Sequence, residues 1–134
     1  MRWFRYEAII ILFLFVLIGL TGCHATWNGN KPEKVLIYEY QSEDSYELLR
    51  EVNENTEEAK VLINLAQDVK EQNDRMDLPS SDYRLDFSLD NGDTISYSLW
   101  LNQDLGSGVI MEKPSRFAEI SSSDVNKLDD ILRD

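Results

Sequence analysis

The stretch from Asp82 to Leu101 constrains the fold of this chain more than any other. In Asp82-Tyr83-Arg84-Leu85-Asp86-Phe87-Ser88-Leu89 every odd position is apolar and every even one polar. That period of two is the mark of a β-strand with one buried face. After Asp90-Asn91-Gly92, the run Thr94-Ile95-Ser96-Tyr97-Ser98-Leu99-Trp100-Leu101 again carries apolar residues at odd positions. Two such strands around Asn-Gly predict a hairpin, and parity fixes its turn. A two-residue loop would pair Leu89 with Thr94 and send the two apolar sets to opposite faces. A three-residue loop, Asp90-Asn91-Gly92 with Gly92 in the left-handed region, pairs Leu89 with Asp93, Phe87 with Ile95 and Leu85 with Tyr97.

Around this hairpin the periodicities assign the remaining elements. Asn55 to Asp74 reads as a helix with Ala59, Leu62, Ile63, Ala66 and Val69 on one stripe. Asn55 is the expected cap, and Glu57 and Glu58 suit the positive end of the helix dipole. A second helix is predicted over Ser123 to Arg133, with Val125, Leu128, Ile131 and Leu132 on one face and serines before it to cap it. Val35 to Tyr40 is rich in β-formers. Tyr46 to Val52 fits a strand or a helical turn, and strand is the reading adopted. Gly108 to Glu112 and Arg116 to Ile120, joined by Lys113-Pro114-Ser115, predict a second hairpin. The expected fold is α+β: an antiparallel sheet of about five to six strands in the order β-β-α-β-β-β-β-α, with both helices on one face.

The first 22 residues have a different character. Arg2 and Arg5 precede Ala8 to Leu20, an uncharged apolar run closed by small residues. This is the length and polarity of a signal-peptide core, shorter than the roughly 20 apolar residues of a spanning helix. The run ends in Leu20-Thr21-Gly22-Cys23, which holds the chain's single cysteine and resembles the lipobox of bacterial lipoproteins. That resemblance implies removal of residues 1–22 and acylation of Cys23. Two acyl chains hold a protein stably at a bilayer, where one binds only marginally. An uncleaved anchor from about Trp3 to Gly22 is the alternative. Residues 23–34, polar with Gly29 and Pro32, read as a lipid-anchored linker. Trp27 within it either rests at the lipid interface or packs on its own domain. Residues 35–134 form one small domain.

Pro79-Ser80-Ser81-Asp82-Tyr83, Ser96-Tyr97-Ser98-Leu99-Trp100-Leu101 and the passage from a strand into a last helix over Ile120 to Leu132 resemble the YhfM-like group of small Bacillus-type lipoproteins. The resemblance covers about residues 35–133 and carries no activity or functional residues with it.

Charge and residue inventory exclude several functions. With 13 basic and 25 acidic residues, a formal charge of −12 and no basic cluster, the chain is not expected to bind nucleic acid. An anionic lipid surface repels it too, so attachment to the membrane depends on the lipid at Cys23. One cysteine permits no intrachain disulfide or thiolate metal site. The only histidine, His24, adjoins the anchor, far from any pocket of the domain. This argues against serine-histidine chemistry and histidine-ligated metals. No cofactor is expected.

Two candidate sites emerge. Asp86, Asp90 and Asp93, with Asn91, gather oxygen ligands near one hairpin, which makes them weak calcium candidates because the spacing lacks the closing glutamate of an EF-hand. A solvated turn is the simpler reading. Trp100 occupies a position on the polar face of its strand, where it either is covered by the 35–40 strand or a helix, the arrangement expected, or anchors a partner together with Arg84 and Ser98. The functional expectation is an extracytoplasmic, membrane-anchored binding module for a protein or wall component, without enzymatic activity. The alternative is a small carboxylate-based or metal-dependent hydrolase.

Overall fold

A computed structural model describes residue 27 and residues 29–102 and 104–133. Cys23 and His24, with the whole apolar N-terminus, lie outside the described residues. The elements run β1 (Pro32–Ser42), β2 (Ser45–Asn53), α1 (Glu57–Gln67), β3 (Lys70–Glu71), β4 (Tyr83–Leu89), β5 (Thr94–Asn102), β6 (Ser107–Lys113), β7 (Arg116–Ile120) and α2 (Ser122–Arg133). Seven antiparallel strands form one sheet in the order β2-β1-β4-β5-β6-β7-β3. Among the described residues no helix is long and apolar enough to cross a membrane.

The β4–β5 hairpin has the register that parity demands. Phe87 faces Ile95 and Leu85 faces Tyr97. The Leu89 amide donates to the Asp93 carbonyl at 2.8 Å, and Gly92, at φ +91°, closes the three-residue loop. A side chain at Gly92 would meet the steric penalty of that left-handed backbone. Asn91 and Asp93 lock the loop further, the Asn91 Oδ1 accepting from the Asp93 amide at 3.0 Å.

Antiparallel partners share a face, so the ladder sorts the side chains. Val35, Ile37, Leu85, Phe87, Tyr97, Leu99 and Ile110 point to one side. There they form a single core with Ala59, Leu62, Leu65 and Ala66 of α1 and Val125, Leu128, Ile131 and Leu132 of α2. Both helices therefore lie on one face. The opposite face carries Tyr38, Arg84, Asp86, Ser98, Trp100, Val109 and Met111.

The strand count is seven rather than five to six because the first helix is shorter than its stripe predicted. It begins at Glu57, and its cap is Thr56, whose Oγ1 accepts from the Ala59 amide at 3.1 Å. Asn55, the expected cap, takes a left-handed φ of +68° just outside. The helix stops at Gln67, although Val69 is buried and continues the stripe. The following Lys70-Glu71-Gln72-Asn73-Asp74 offers no apolar face to hold a helix. Its backbone instead bonds the free edge of β7, with Lys70 opposite Phe117 and Glu71 opposite Arg116.

Tyr46 to Val52 is a strand, as adopted, within β2. Leu49 is an extra residue, a bulge, in β2 opposite the step from Ile37 to Tyr38, so that Arg50 faces Ile37 and Leu48 faces Tyr38. Such a bulge twists an edge strand and discourages pairing with other chains.

The ladder begins at Pro32, inside the stretch expected to be linker. Ahead of it Trp27 packs on the domain: its ring lies 5.4 Å from that of Phe87, and its Nε1 donates to the Tyr97 hydroxyl at 2.9 Å. Of the two readings of Trp27, packing on its own domain is the observed one. Burial raises the pKa of the Tyr97 hydroxyl, a shift that the bond from Trp27 partly offsets.

Candidate functional site

Between β3 and β4 the chain returns from the sheet edge to its middle, and it does so over the face opposite the helices. The Met76 amide donates to the Pro114 carbonyl at 3.0 Å, and the Pro79 carbonyl accepts from Trp100 Nε1 at 2.9 Å. Trp100 is therefore half-buried by residues 78–82, neither by the 35–40 strand nor by a helix as expected. The correction has a simple cause: Val109, not strand β1, is its neighbour in the ladder, because β5 lies between β4 and β6.

Beside Trp100 a groove of about 480 Å³ opens at the end of the sheet where β5 leaves and β6 enters. Leu78, Trp100, Leu101, Val109 and Ile120 supply its apolar walls, and Asp82, Asn102, Ser107 and Glu119 its polar groups. Gly108 makes the groove floor possible. A Cβ there would come within 2.8 Å of the Trp100 carbonyl oxygen and 2.9 Å of Leu101 Cδ2. Asp82 is held in place by its Oδ2, which accepts from the Leu101 amide at 2.9 Å. Glu119 is exposed on β7 opposite Val109, one strand away from Trp100.

A second hollow, lined by Glu39, Tyr40, Asp82, Tyr83 and Leu101, shares Asp82 and Leu101 with the first. No lysine or arginine lines either one, whereas Lys31 and Lys60 line a third hollow near α1 and Lys127 a fourth between the helices. The negative charge here registers on Tyr83. Burial raises its pKa first, and the carboxylates of Glu39, Asp82 and Asp129 push it the same way.

The residues singled out with Trp100 share its face without joining the groove. Arg84 faces Ser98 across the ladder, and Ser98 in turn faces Met111. The Arg84 guanidinium stacks 4.2 Å from the Tyr38 ring and pairs with Asp86 at 3.2 Å. Arg84 is thus engaged on the β1 side, away from Trp100. Asp86 also accepts from Ser96 at 2.7 Å. That places its carboxylate mid-strand, four residues before Asp90, or about 13 Å along an extended chain. Asp93 is tied to Asn91 at the loop. The three weak calcium candidates are not brought together, and among the described residues no group of three carboxylate, histidine or cysteine side chains is placed to hold a metal ion.

Glu119, Leu78 and Val109 were not legible as site residues, and Asp82, although it belongs to the alternating run before Leu89, was not singled out as one. Arg116 to Ile120 shows no clean alternation that would mark Glu119, and its approach to Trp100 depends on the pairing of β5 with β6 and of β6 with β7. Leu78 depends on the path of an irregular connection, which leaves no periodic trace.

A seven-stranded antiparallel sheet with two helices on one face and a groove at one end defines a small α+β domain. The chain belongs to the YhfM family, whose model, described as YhfM protein, matches residues 30–134. No curated protein and no solved structure matches it.

Proposed function

We propose that this chain is a lipoprotein held through Cys23 at the extracytoplasmic face of the cell membrane, and that its domain is a binding module presenting the Trp100 groove to a protein or wall component. The observation that carries the reading is the placement of the groove relative to the N-terminus. Trp27 is pinned on Phe87 and Tyr97, next to the start of β1 and the β4–β5 loop. Asn102 and Ser107 stand at the other end of β5.

Four residue steps separate Cys23 from Trp27, so the chain between them reaches at most about 14 Å. A lipid on Cys23 then holds the Trp27 end of the sheet against the membrane. The groove sits further out along β5, where the three to five residues from Tyr97 to Trp100 and Asn102 span about 10–17 Å. Binding is favoured over carboxylate catalysis because Asp82 and Glu119, the carboxylates of the groove, are both exposed. Catalytic carboxyl groups that work as acids are tuned by burial.

Fractionation tests the tether. Wild-type protein is expected in the membrane fraction and labelled by radioactive palmitate. Cys23→Ala is expected to lose the label and to behave as a precursor that is not processed as the wild type is. Cys23→Ala that matches the wild type in processing and label would rule out lipidation at Cys23.

A further inference from the structure

We propose that the Trp100 groove binds a basic side chain, arginine or lysine, carried on an extended protein segment; this rests on the binding-module reading and names the ligand of that same site. The apolar walls account for the body of such a side chain. Its stem is a run of methylenes that packs on surfaces such as Leu78 and Val109, while its head needs negative partners. Asp82 and Glu119 supply them. Glu119 makes no ion pair with a cation of this chain among the described residues, and no basic residue lines the groove.

Trp100 adds a second attraction. Its Nε1 is already satisfied by Pro79, so what the indole offers a ligand is its ring. A cation near a tryptophan face is attracted by the ring quadrupole, and tryptophan is the best of the aromatic residues for this. The adjoining hollow around Asp82 extends the negative field with Glu39, and a cleft lined by one sign of charge concentrates ligands of the other. An acidic segment meets like charge at both rims.

The test uses the mature lipidated protein in detergent micelles and isothermal titration calorimetry with three peptides that differ at one position: acetyl-Gly-Val-X-Val-Gly-amide with X as arginine, alanine or glutamate. The arginine peptide is expected to bind and the glutamate peptide not to bind. Trp100→Ala is expected to weaken the arginine peptide about tenfold or more, the range of a partly desolvated cation–π contact. Glu119→Gln, a change at an exposed position that leaves the fold intact, is expected to weaken it about threefold, as an exposed charge pair would.

Equal binding of the arginine and glutamate peptides, or no binding of the arginine peptide, overturns the proposal. Affinity unchanged in both Trp100→Ala and Glu119→Gln overturns it too. A Trp100-dependent alanine peptide that binds as well as the arginine peptide would leave the groove a binding site while removing its preference for a basic partner.

Discussion

Phe87→Ala is expected to destabilise the domain by about 3–5 kcal/mol, the range for removing a phenylalanine from a packed core. Phe87 is fully buried at the centre of β4, paired with Val35 on one side and Ile95 on the other. Its ring meets Tyr97 edge-on at 5.4 Å and Trp27 at 5.4 Å with a 43° tilt. Aromatic pairs of this kind contribute about 0.5–1.5 kcal/mol beyond the area they bury. Truncation therefore leaves a cavity and also removes the surface that receives Trp27. Urea unfolding monitored by circular dichroism checks the stability. A loss below about 1 kcal/mol would mean that the aromatic cluster is not the centre of the core. Phe87→Leu, which keeps most of the volume, is expected to cost less than half as much.

The second large effect is expected at Gly108, where backbone rather than side chain leaves no room. A new Cβ would meet the Trp100 carbonyl oxygen at 2.8 Å, Leu101 Cδ2 at 2.9 Å and Ile120 Cδ1 at 3.3 Å. Leu101 can turn its side chain away. The Trp100 carbonyl belongs to the main chain of β5, so relief requires β5 and β6 to separate. Overpacking of this kind costs about 1–3 kcal/mol for one methyl group. Gly108→Ala is expected in that range, and Gly108→Val beyond it, with melting points lowered by roughly 4–8 °C per kcal/mol in a domain of this size. Gly108→Ala with an unchanged melting point would contradict the close approach of the two strands.

How far these features could be read from residues alone depends on the distance over which each is decided. The β4–β5 hairpin was legible to its register, because parity and a left-handed Gly92 are local properties. The face of α2 was legible for the same reason, and that of α1 in part: Ala59, Leu62 and Ala66 are buried as read, but Leu65 is buried where the stripe named the half-buried Ile63. Residues 70–74 were not: Val69 continues the helical stripe, and only the free edge of β7, more than forty residues away, decides that Lys70 and Glu71 pair as a strand.

The groove lies at the far end of this scale. Trp100 drew attention as an aromatic residue on a polar face, yet its surroundings come from three separate segments. Leu78 and Asp82 arrive with the connection from β3, Val109 with β6 and Glu119 with β7. Arg84 and Ser98 were grouped with Trp100 by face, correctly as to side. The sheet order and the stacking of Arg84 on Tyr38 separate them from it as a site.

The pinning of Trp27 also alters what an N-terminal tether would do. Residues 23–34 were expected to be a linker between the lipid and the domain. With the ladder starting at Pro32 and Trp27 bonded to Tyr97, three residues remain between Cys23 and the packed domain. With a lipid on Cys23, so short a connection would favour the Trp27 end of the sheet facing the bilayer.

The most direct measurement places a fluorophore at each end of the sheet. Asp90→Cys labels the β4–β5 loop and Asp104→Cys the turn beside the groove, both at exposed positions. The lipidated protein is reconstituted in vesicles that contain headgroup spin-labelled lipid. Acylation of Cys23 leaves the new thiol as the one reactive cysteine. Strong quenching at position 90 with little at position 104 is the expected result. Equal quenching at the two positions, or stronger quenching at 104, would contradict a module that stands on its Trp27 end and turns its groove outward.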